Sequence, residues 1–102
     1  MYADVSAGAA AQAMQADHFF SDFGDKILVV HGTVADVHSA DGRSVVSLAT
    51  GLSFGFRCSV PASSGGGLPA AGSVVTVVAP GATAERQPSS VDLPDCRIMS
   101  GP

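Results

Sequence analysis

Hydrophobic and polar residues alternate strictly in one stretch of the chain, between residues 52 and 60. Apolar side chains occupy every second position there, namely Leu52, Phe54, Phe56, Cys58 and Val60. A period of two places alternate side chains on opposite faces of a strand. We therefore predict a strand over about 52–60 whose apolar set, including Cys58, faces the core.

A longer β-prone run, residues 26–37, is rich in β-branched residues and is interrupted by Gly32. Glycine tolerates a bulge or sharp bend without steric cost. A bent first strand can pair along two sheet edges, which is how a small sheet closes into a barrel. The β-prone runs together predict five strands, at about 26–38, 43–50, 52–60, 73–79 and 91–99.

Turn-forming residues separate these runs. The dipeptide Asp41-Gly42 is a strong hairpin signal, and the three consecutive glycines in residues 61–72 predict a loop. Residues 83–90 are polar and typical of a turn. Apolar positions in the last run fall out of phase around Pro94, which a bulge at a sheet edge would absorb.

The beginning of the chain has a helical pattern instead. Six alanines lie between Ala7 and Ala16, and Ala9, Ala13, Ala16 and Phe20 recur at helical spacing with Met14 beside them. We predict a helix over about 6–21, ended near Gly24. Its narrow stripe of small residues predicts close packing against the sheet, with a partner-binding helix as the alternative.

Composition favours one globular domain spanning residues 1–102, since hydrophobic residues make up 46% and charged residues 14% of the chain. The net charge of −4 argues against binding to nucleic-acid phosphates, which relies on clustered Lys and Arg. No apolar run is long enough to span a membrane. No positively charged segment followed by an apolar one begins the chain, so we expect no signal peptide within it.

Five short strands, a bent first strand, glycine-rich turns and one helix suit the OB-fold. We therefore predict a mainly β chain that forms a five-stranded Greek-key barrel with one N-terminal α-helix.

Four patches follow the Ala-rich helix in a characteristic order. They are F-G-D-K at 23–26, I-L-V-V-H-G-T-V at 27–34, L-P-A-A-G-S-V-V-T-V at 68–77 and V-D-L-P-D-C-R-I at 91–98. With these patches, residues 7–99 resemble the tRNA_anti-like family of small bacterial OB-fold proteins. The resemblance implies a helix before the first strand, as in related bacterial periplasmic OB proteins. The family's name implies nucleic-acid binding, because it records a likeness to tRNA anticodon-binding modules.

The two cysteines, Cys58 and Cys96, lie on predicted strands three and five, which are neighbours in an OB barrel. A disulfide between them would close a loop of about 39 residues and stabilise the fold by roughly 4 kcal/mol. Two free, buried cysteines are the alternative. Because a disulfide would indicate an oxidising compartment, we expect a periplasmic or otherwise extracytoplasmic protein, with the cytoplasm left open.

No motif in the chain predicts catalysis or a cofactor. The two cysteines and the three histidines match no zinc-binding spacing, and neither a catalytic serine motif nor a phosphate-binding glycine motif is present. Four residues that could take part in acid–base chemistry cluster near one predicted hairpin turn, where shielded pockets are rare: Asp36, His38, Ser39 and Asp41. We expect no enzyme, no metal and no cofactor.

We predict a non-catalytic OB-fold binding module, whose ligand is a protein partner, an envelope component or a small molecule. The expected site is the face of predicted strands two and three, with Arg43, Arg57 and His38 as polar contacts. The alternative is a single-stranded nucleic-acid binder on the same face, which would need exposed aromatic side chains and a basic groove. A third class is an oligomer formed through the edge of predicted strand four or five.

Overall fold

The computed structural model describes residues 1–40, 42–61 and 69–100. Asp41 of the predicted hairpin turn and residues 62–68 of the predicted loop lie outside the described residues. The described residues form strands, two α-helices and a 3₁₀-helix (Gly81–Thr83). In chain order the strands and α-helices are β1 (Tyr2–Ser6), α1 (Ala7–Gln15), α2 (Phe19–Phe23), β2 (Ile27–Ala40), β3 (Arg43–Leu48), β4 (Gly55–Pro61), β5 (Val74–Pro80), β6 (Glu85–Arg86), β7 (Ser90–Leu93) and β8 (Arg97–Ser100).

Strand β2 organises the sheet, because its two halves have different partners. Its first half pairs in parallel with β1 and antiparallel with β5, and its second half pairs antiparallel with β3. As predicted, this strand therefore serves two sheet edges. The break in register, however, lies between Val34 and Asp36, beyond Gly32.

The hydrogen-bonded strands follow the order β6-β7-β4-β3-β2-β5-β8, with β1 beside β2. The mainly β class is confirmed, but the predicted closed barrel is not, because this path is open at β6 and β8. The predicted fifth strand is broken at residues 94–96, so that β7 pairs with β4 while β8 pairs with β5. Pro94 has no N–H group and cannot donate a hydrogen bond to a ladder.

The single predicted helix is two helices. Ser6 caps the first, α1, by accepting a hydrogen bond of 3.0 Å from the Ala9 N–H. The helix ends before Asp17, whose φ of 66° lies in the left-handed region. Asp tolerates this conformation better than most residues, and one such residue is enough to end a helix.

Several strand boundaries also differ from the prediction. The predicted strand at 52–60 begins only at Gly55, since Gly51 has a φ of 74° and Thr50 forms a local turn through its side chain. The strand predicted at 43–50 ends at Leu48. Two strands were missed, β1 before the helix and the two-residue β6 within a segment predicted as a turn.

The helix α1 packs against the sheet through small side chains, but its packing face is not the predicted stripe, because Ala9, Ala16 and Phe20 are exposed. Its buried residues are Ala7, Ala10, Ala11, Ala13 and Met14, and they join one core cluster with buried residues of β2, β4 and β7. Gly32 makes this close approach possible. A Cβ atom at Gly32 would lie 3.1 Å from Ala7 Cβ and 3.1 Å from Leu48 Cδ1.

The sulfur atoms of Cys58 in β4 and Cys96, between β7 and β8, lie at disulfide distance. Their Cα atoms are 5.6 Å apart, and both side chains are buried. The Cys96 N–H also donates a hydrogen bond of 3.1 Å to the Ser59 carbonyl. The pair therefore holds the break in the last strand against β4, as the predicted pairing of strands three and five anticipated.

Replacing Gly32 with valine should destabilise the protein, because the new side chain would collide with Ala7 and Leu48. We expect the free energy of unfolding, measured by urea denaturation, to fall by about 1–3 kcal/mol. The control is Thr33→Val at the next, exposed position, which should change it by less than about 0.5 kcal/mol. Equal losses for the two variants would show that Gly32 has no packing role.

Removing the disulfide should have a larger effect. We expect the double variant Cys58→Ala/Cys96→Ala to lose roughly 4 kcal/mol of unfolding free energy, because the unfolded chain gains conformational entropy when it has no cross-link. A reductant should destabilise the wild type and leave the double variant unchanged. Denatured, non-reduced wild type should contain no free thiol, and two free thiols per chain would contradict the pairing.

Candidate functional site

Strand register places one row of polar side chains across the outer face of four strands. Ser47 lies opposite Arg57, Arg57 opposite Asp92, and Asp92 opposite Glu85. Residues directly opposite each other in a sheet point to the same face. The next row contains Val45 of β3 opposite Ser59 of β4.

A cleft of about 210 Å³ opens on this face. Apolar and polar residues both line it, the former being Val45, Leu93 and Pro94 and the latter Arg57, Ser59, Glu85 and Asp92. Sites for drug-sized molecules usually measure about 300–1,000 Å³. This cleft therefore has room for one side chain or a small chemical group.

Arg57 is the cation of the cleft with most freedom to bind a ligand. Its guanidinium lies 3.9 Å from the Asp92 carboxylate, and the two side chains are 49% and 25% exposed. The other Asp92 oxygen accepts a hydrogen bond of 2.7 Å from the Ser90 hydroxyl. An exposed ion pair of this length contributes at most about 1 kcal/mol. Most Arg57 donors thus stay accessible.

Glu85 adds a second negative charge directly opposite Asp92. Like charges opposite each other destabilise a sheet, and of these two carboxylates the guanidinium of Arg57 approaches that of Asp92 and not that of Glu85. The cleft therefore presents both signs of charge beside an apolar surface.

Arg43 borders the same cleft but already has internal partners. Its Nε donates a hydrogen bond of 3.0 Å to the Ser59 hydroxyl, and a terminal nitrogen donates one of 2.6 Å to the Pro94 carbonyl. Arg43 thereby holds the end of β7 against β4, beside the Cys58–Cys96 pair. Arg43 therefore positions Ser59 and Pro94, which line the cleft. Contact between Arg43 and a ligand stays a prediction.

His38 lies on β2, opposite Val45, with an exposed side chain. It is one strand away from the residues that line the cleft. The structure thus brings Arg43 and Arg57 together around Ser59 and leaves His38 at the border. The sequence did not single out Glu85 and Asp92, because Glu85 lies in a two-residue strand that no periodicity marks.

A second polar group lies on the outer face of the other half of the sheet. The His31 Nε2 donates to the Asp4 carboxylate, which leaves Nδ1 to accept a hydrogen bond of 3.0 Å from the Thr76 hydroxyl. A carboxylate, a histidine and a hydroxyl linked in this order can activate the hydroxyl as a nucleophile. Here, however, the His31 and Asp4 side chains are 51% and 74% exposed. The group fastens β1 and β5 to β2.

Two further properties concern metals and membranes. Within residues 1–40, 42–61 and 69–100, no three His, Cys, Asp or Glu side chains are grouped so that they could hold a metal ion. In the same ranges, no helix has the length and apolarity needed to cross a membrane.

Comparison of the chain with models of protein families, with curated proteins and with solved structures found no match. The resemblance to the tRNA_anti-like family therefore stays a prediction.

The different roles of the two arginines can be separated by stability measurements. Arg43→Ala removes two hydrogen bonds that hold Pro94 and Ser59, and should lower the free energy of unfolding by about 1–2 kcal/mol. Arg57→Ala removes one long, exposed ion pair and should cost less than about 0.5 kcal/mol. Urea denaturation of both variants checks this order, and a larger loss for Arg57→Ala would contradict the assignment.

Proposed function

We propose that the chain is a non-catalytic binding module of the OB type, which holds a segment of a protein partner in the cleft over β3, β4 and β7. The observation that carries the proposal is Arg57, whose half-exposed side chain stands in a cleft with an apolar surface and makes one long ion pair among the described residues. Such a group can exchange water for a partner's polar atoms at little internal cost.

The order of strand pairing supports the OB type. If β7 and β8 are taken as two halves of one broken fifth strand, the order becomes β2-β3-β4-β7/β8-β5 and returns to β2. This is a five-stranded Greek-key arrangement with one interruption. OB modules commonly bind ligands on the face of their second and third strands, which correspond to β3 and β4.

The size of the cleft favours a protein partner over a small molecule. A volume of about 210 Å³ fits one side chain of a larger partner. The apolar surface from Val45 and Pro94 would hold an aliphatic stem, and the charged residues would hold its polar end. Neighbouring polar residues on the same face would then contact the rest of the segment.

Three observations support an extracytoplasmic compartment, a non-catalytic role and a ligand other than a nucleic acid. The Cys58–Cys96 pair is compatible with an oxidising, extracytoplasmic compartment. The exposed Asp4–His31–Thr76 group lacks the shielding from water that acid–base catalysis requires. Phe54 and Phe56 are buried, so they offer no stacking surface to a nucleic acid.

A random peptide library displayed on phage tests the proposal directly. We expect selection on the immobilised wild type to enrich peptides that bind at micromolar concentration. Titration of a selected peptide should shift amide resonances of β3, β4 and β7 in NMR spectra. Arg57→Glu should weaken binding at least about tenfold, since it places a third negative charge in the cleft.

The charge-matched control is Lys26→Glu, which lies before β2 and away from the cleft. It should bind the selected peptide like the wild type. Enrichment of no peptide, equal binding by Arg57→Glu, or resonance shifts confined to another face would each overturn the proposal.

Nucleic-acid binding is tested with short single-stranded oligonucleotides. We expect no binding at micromolar protein concentration at low salt, because the chain is acidic and Arg43 is engaged internally. Fluorescence anisotropy over a salt series measures this. Micromolar binding that weakens steeply with salt would replace the protein partner with a nucleic acid as the ligand.

A further inference from the structure

Apart from the Asp4–His31–Thr76 group, the outer face of β1, β2 and β5 is apolar, in contrast to the polar face that carries the cleft. Tyr2 lies opposite Ile27 and Ile27 opposite Pro80, while Val29 lies opposite Val78. We call these five residues the apolar face. Tyr2 is 72% exposed, and the other four remain partly exposed.

The sequences of β2 and β5, the two central strands of this face, also indicate an apolar outer side. Residues 27–30 of β2 are all apolar, and β5 is apolar except for Thr76. Continuous apolar runs are typical of strands that are buried on both sides. One side is indeed buried here, through Leu28, Val30, Val77 and Ala79 in the core. The other side is the apolar face, which the described part of the chain leaves partly exposed.

Opposite charges lie at the two ends of one row across this face. Asp4 lies opposite Val29, Val29 opposite Val78, and Val78 opposite Arg97. Arg97 has no ion-pair partner among the described residues, and Asp4 uses one carboxylate oxygen for His31. The row therefore reads acidic, apolar, apolar, basic from β1 to β8.

We propose that the apolar face binds the same face of a second copy of this chain, around a two-fold axis parallel to β2. This axis reverses the order of strands and keeps each row opposite itself. It places Asp4 opposite Arg97 of the second copy, Val29 opposite Val78, and the same pairs again on the other side of the axis. The interface is thus self-complementary in charge and in apolar surface.

The alternative two-fold axis, perpendicular to the strands within the plane of the interface, lacks this complementarity. It would place β1 over β1 of the second copy, and Asp4 near its own equivalent. Like charges across an interface select against a pairing. Two sheets packed face to face also tolerate the proposed arrangement, since aligned packing allows a rotation of about 30° between them.

The size of the face sets the expected strength of the dimer. Four strands about 4.8 Å apart, with about five residues each, span roughly 19 by 17 Å. This area is below the roughly 800 Å² per partner of a standard interface, and interfaces of such small size are weak and transient. We therefore expect a dimer that exchanges with the monomer at micromolar concentration. Charge and shape complementarity would contribute more to its stability than the buried area does.

Sedimentation equilibrium of the full chain over about 5–500 µM tests the proposal. We expect the average mass of the wild type to rise from that of a monomer towards that of a dimer. Val29→Lys places a charge in the centre of the interface and should keep the protein monomeric over the whole range. Gln15→Lys, which adds the same charge on the exposed side of α1, should dimerise like the wild type.

A charge exchange tests the orientation. Arg97→Glu and Asp4→Arg should each weaken the dimer about tenfold, because each creates two pairs of like charges. The double variant Asp4→Arg/Arg97→Glu should restore the dimer to within about threefold of the wild type. A role of these residues in folding alone would give no such rescue, and circular dichroism of each variant verifies that it is folded.

Three results would overturn the proposal: a wild type that stays monomeric at the highest concentration, a Val29→Lys variant that dimerises normally, or a double variant that is not rescued. In the first case another partner would cover the apolar face. Arg57→Glu should leave the dimer intact while it weakens peptide binding. The dimer and the peptide-binding site can therefore fail independently of each other.

Discussion

The division of β2 between two sets of partners is the constraint on which the rest of the structure depends. Its first half is held between β1 and β5, and its second half turns to pair with β3 beyond the register shift at Val34 and Asp36. The turn gives the sheet two outer faces, one on each side of the break. Gly32 keeps the inner side of this strand free of a side chain, so that α1 can pack close to it.

The break in the last strand has an equally specific consequence for the cleft. Because Pro94 cannot donate to a ladder, the chain leaves β4 there and joins β5 through β8. The departing segment forms a wall of the cleft, and three connections to β4 and β3 hold it: the Cys58–Cys96 pair, the Cys96 N–H and the Arg43 guanidinium. Without these three connections, the segment around residues 94–96 would not keep its shape.

The parts of this structure that the sequence predicts are those determined by local pattern. Alternation correctly placed Phe54, Phe56 and Cys58 in the core but wrongly placed Leu52 there, because Leu52 precedes the strand and is exposed. The pairing of Cys58 with Cys96 followed from neighbouring strands. The contacts that local pattern did not predict involve residues far apart in the chain. Arg43 donates a hydrogen bond to Pro94, 51 residues away, and Glu85 lies opposite Asp92 because a two-residue strand forms there. The split of the last strand was visible as a phase change, but its effect on barrel closure was not.

The low charge content of the chain links its two outer faces. Only 14% of the residues are charged, and several of them lie on the polar face: Asp36, Arg43, Arg57, Glu85 and Asp92. Among the described charged residues, Asp4 and Arg97 flank the apolar face at opposite edges, and the polar pair His31 and Thr76 lies beside it. A monomer in water gains nothing from concentrating apolar side chains on one outer face. The distribution becomes favourable when that face is covered, because the few remaining charges then lie where they can pair across the interface.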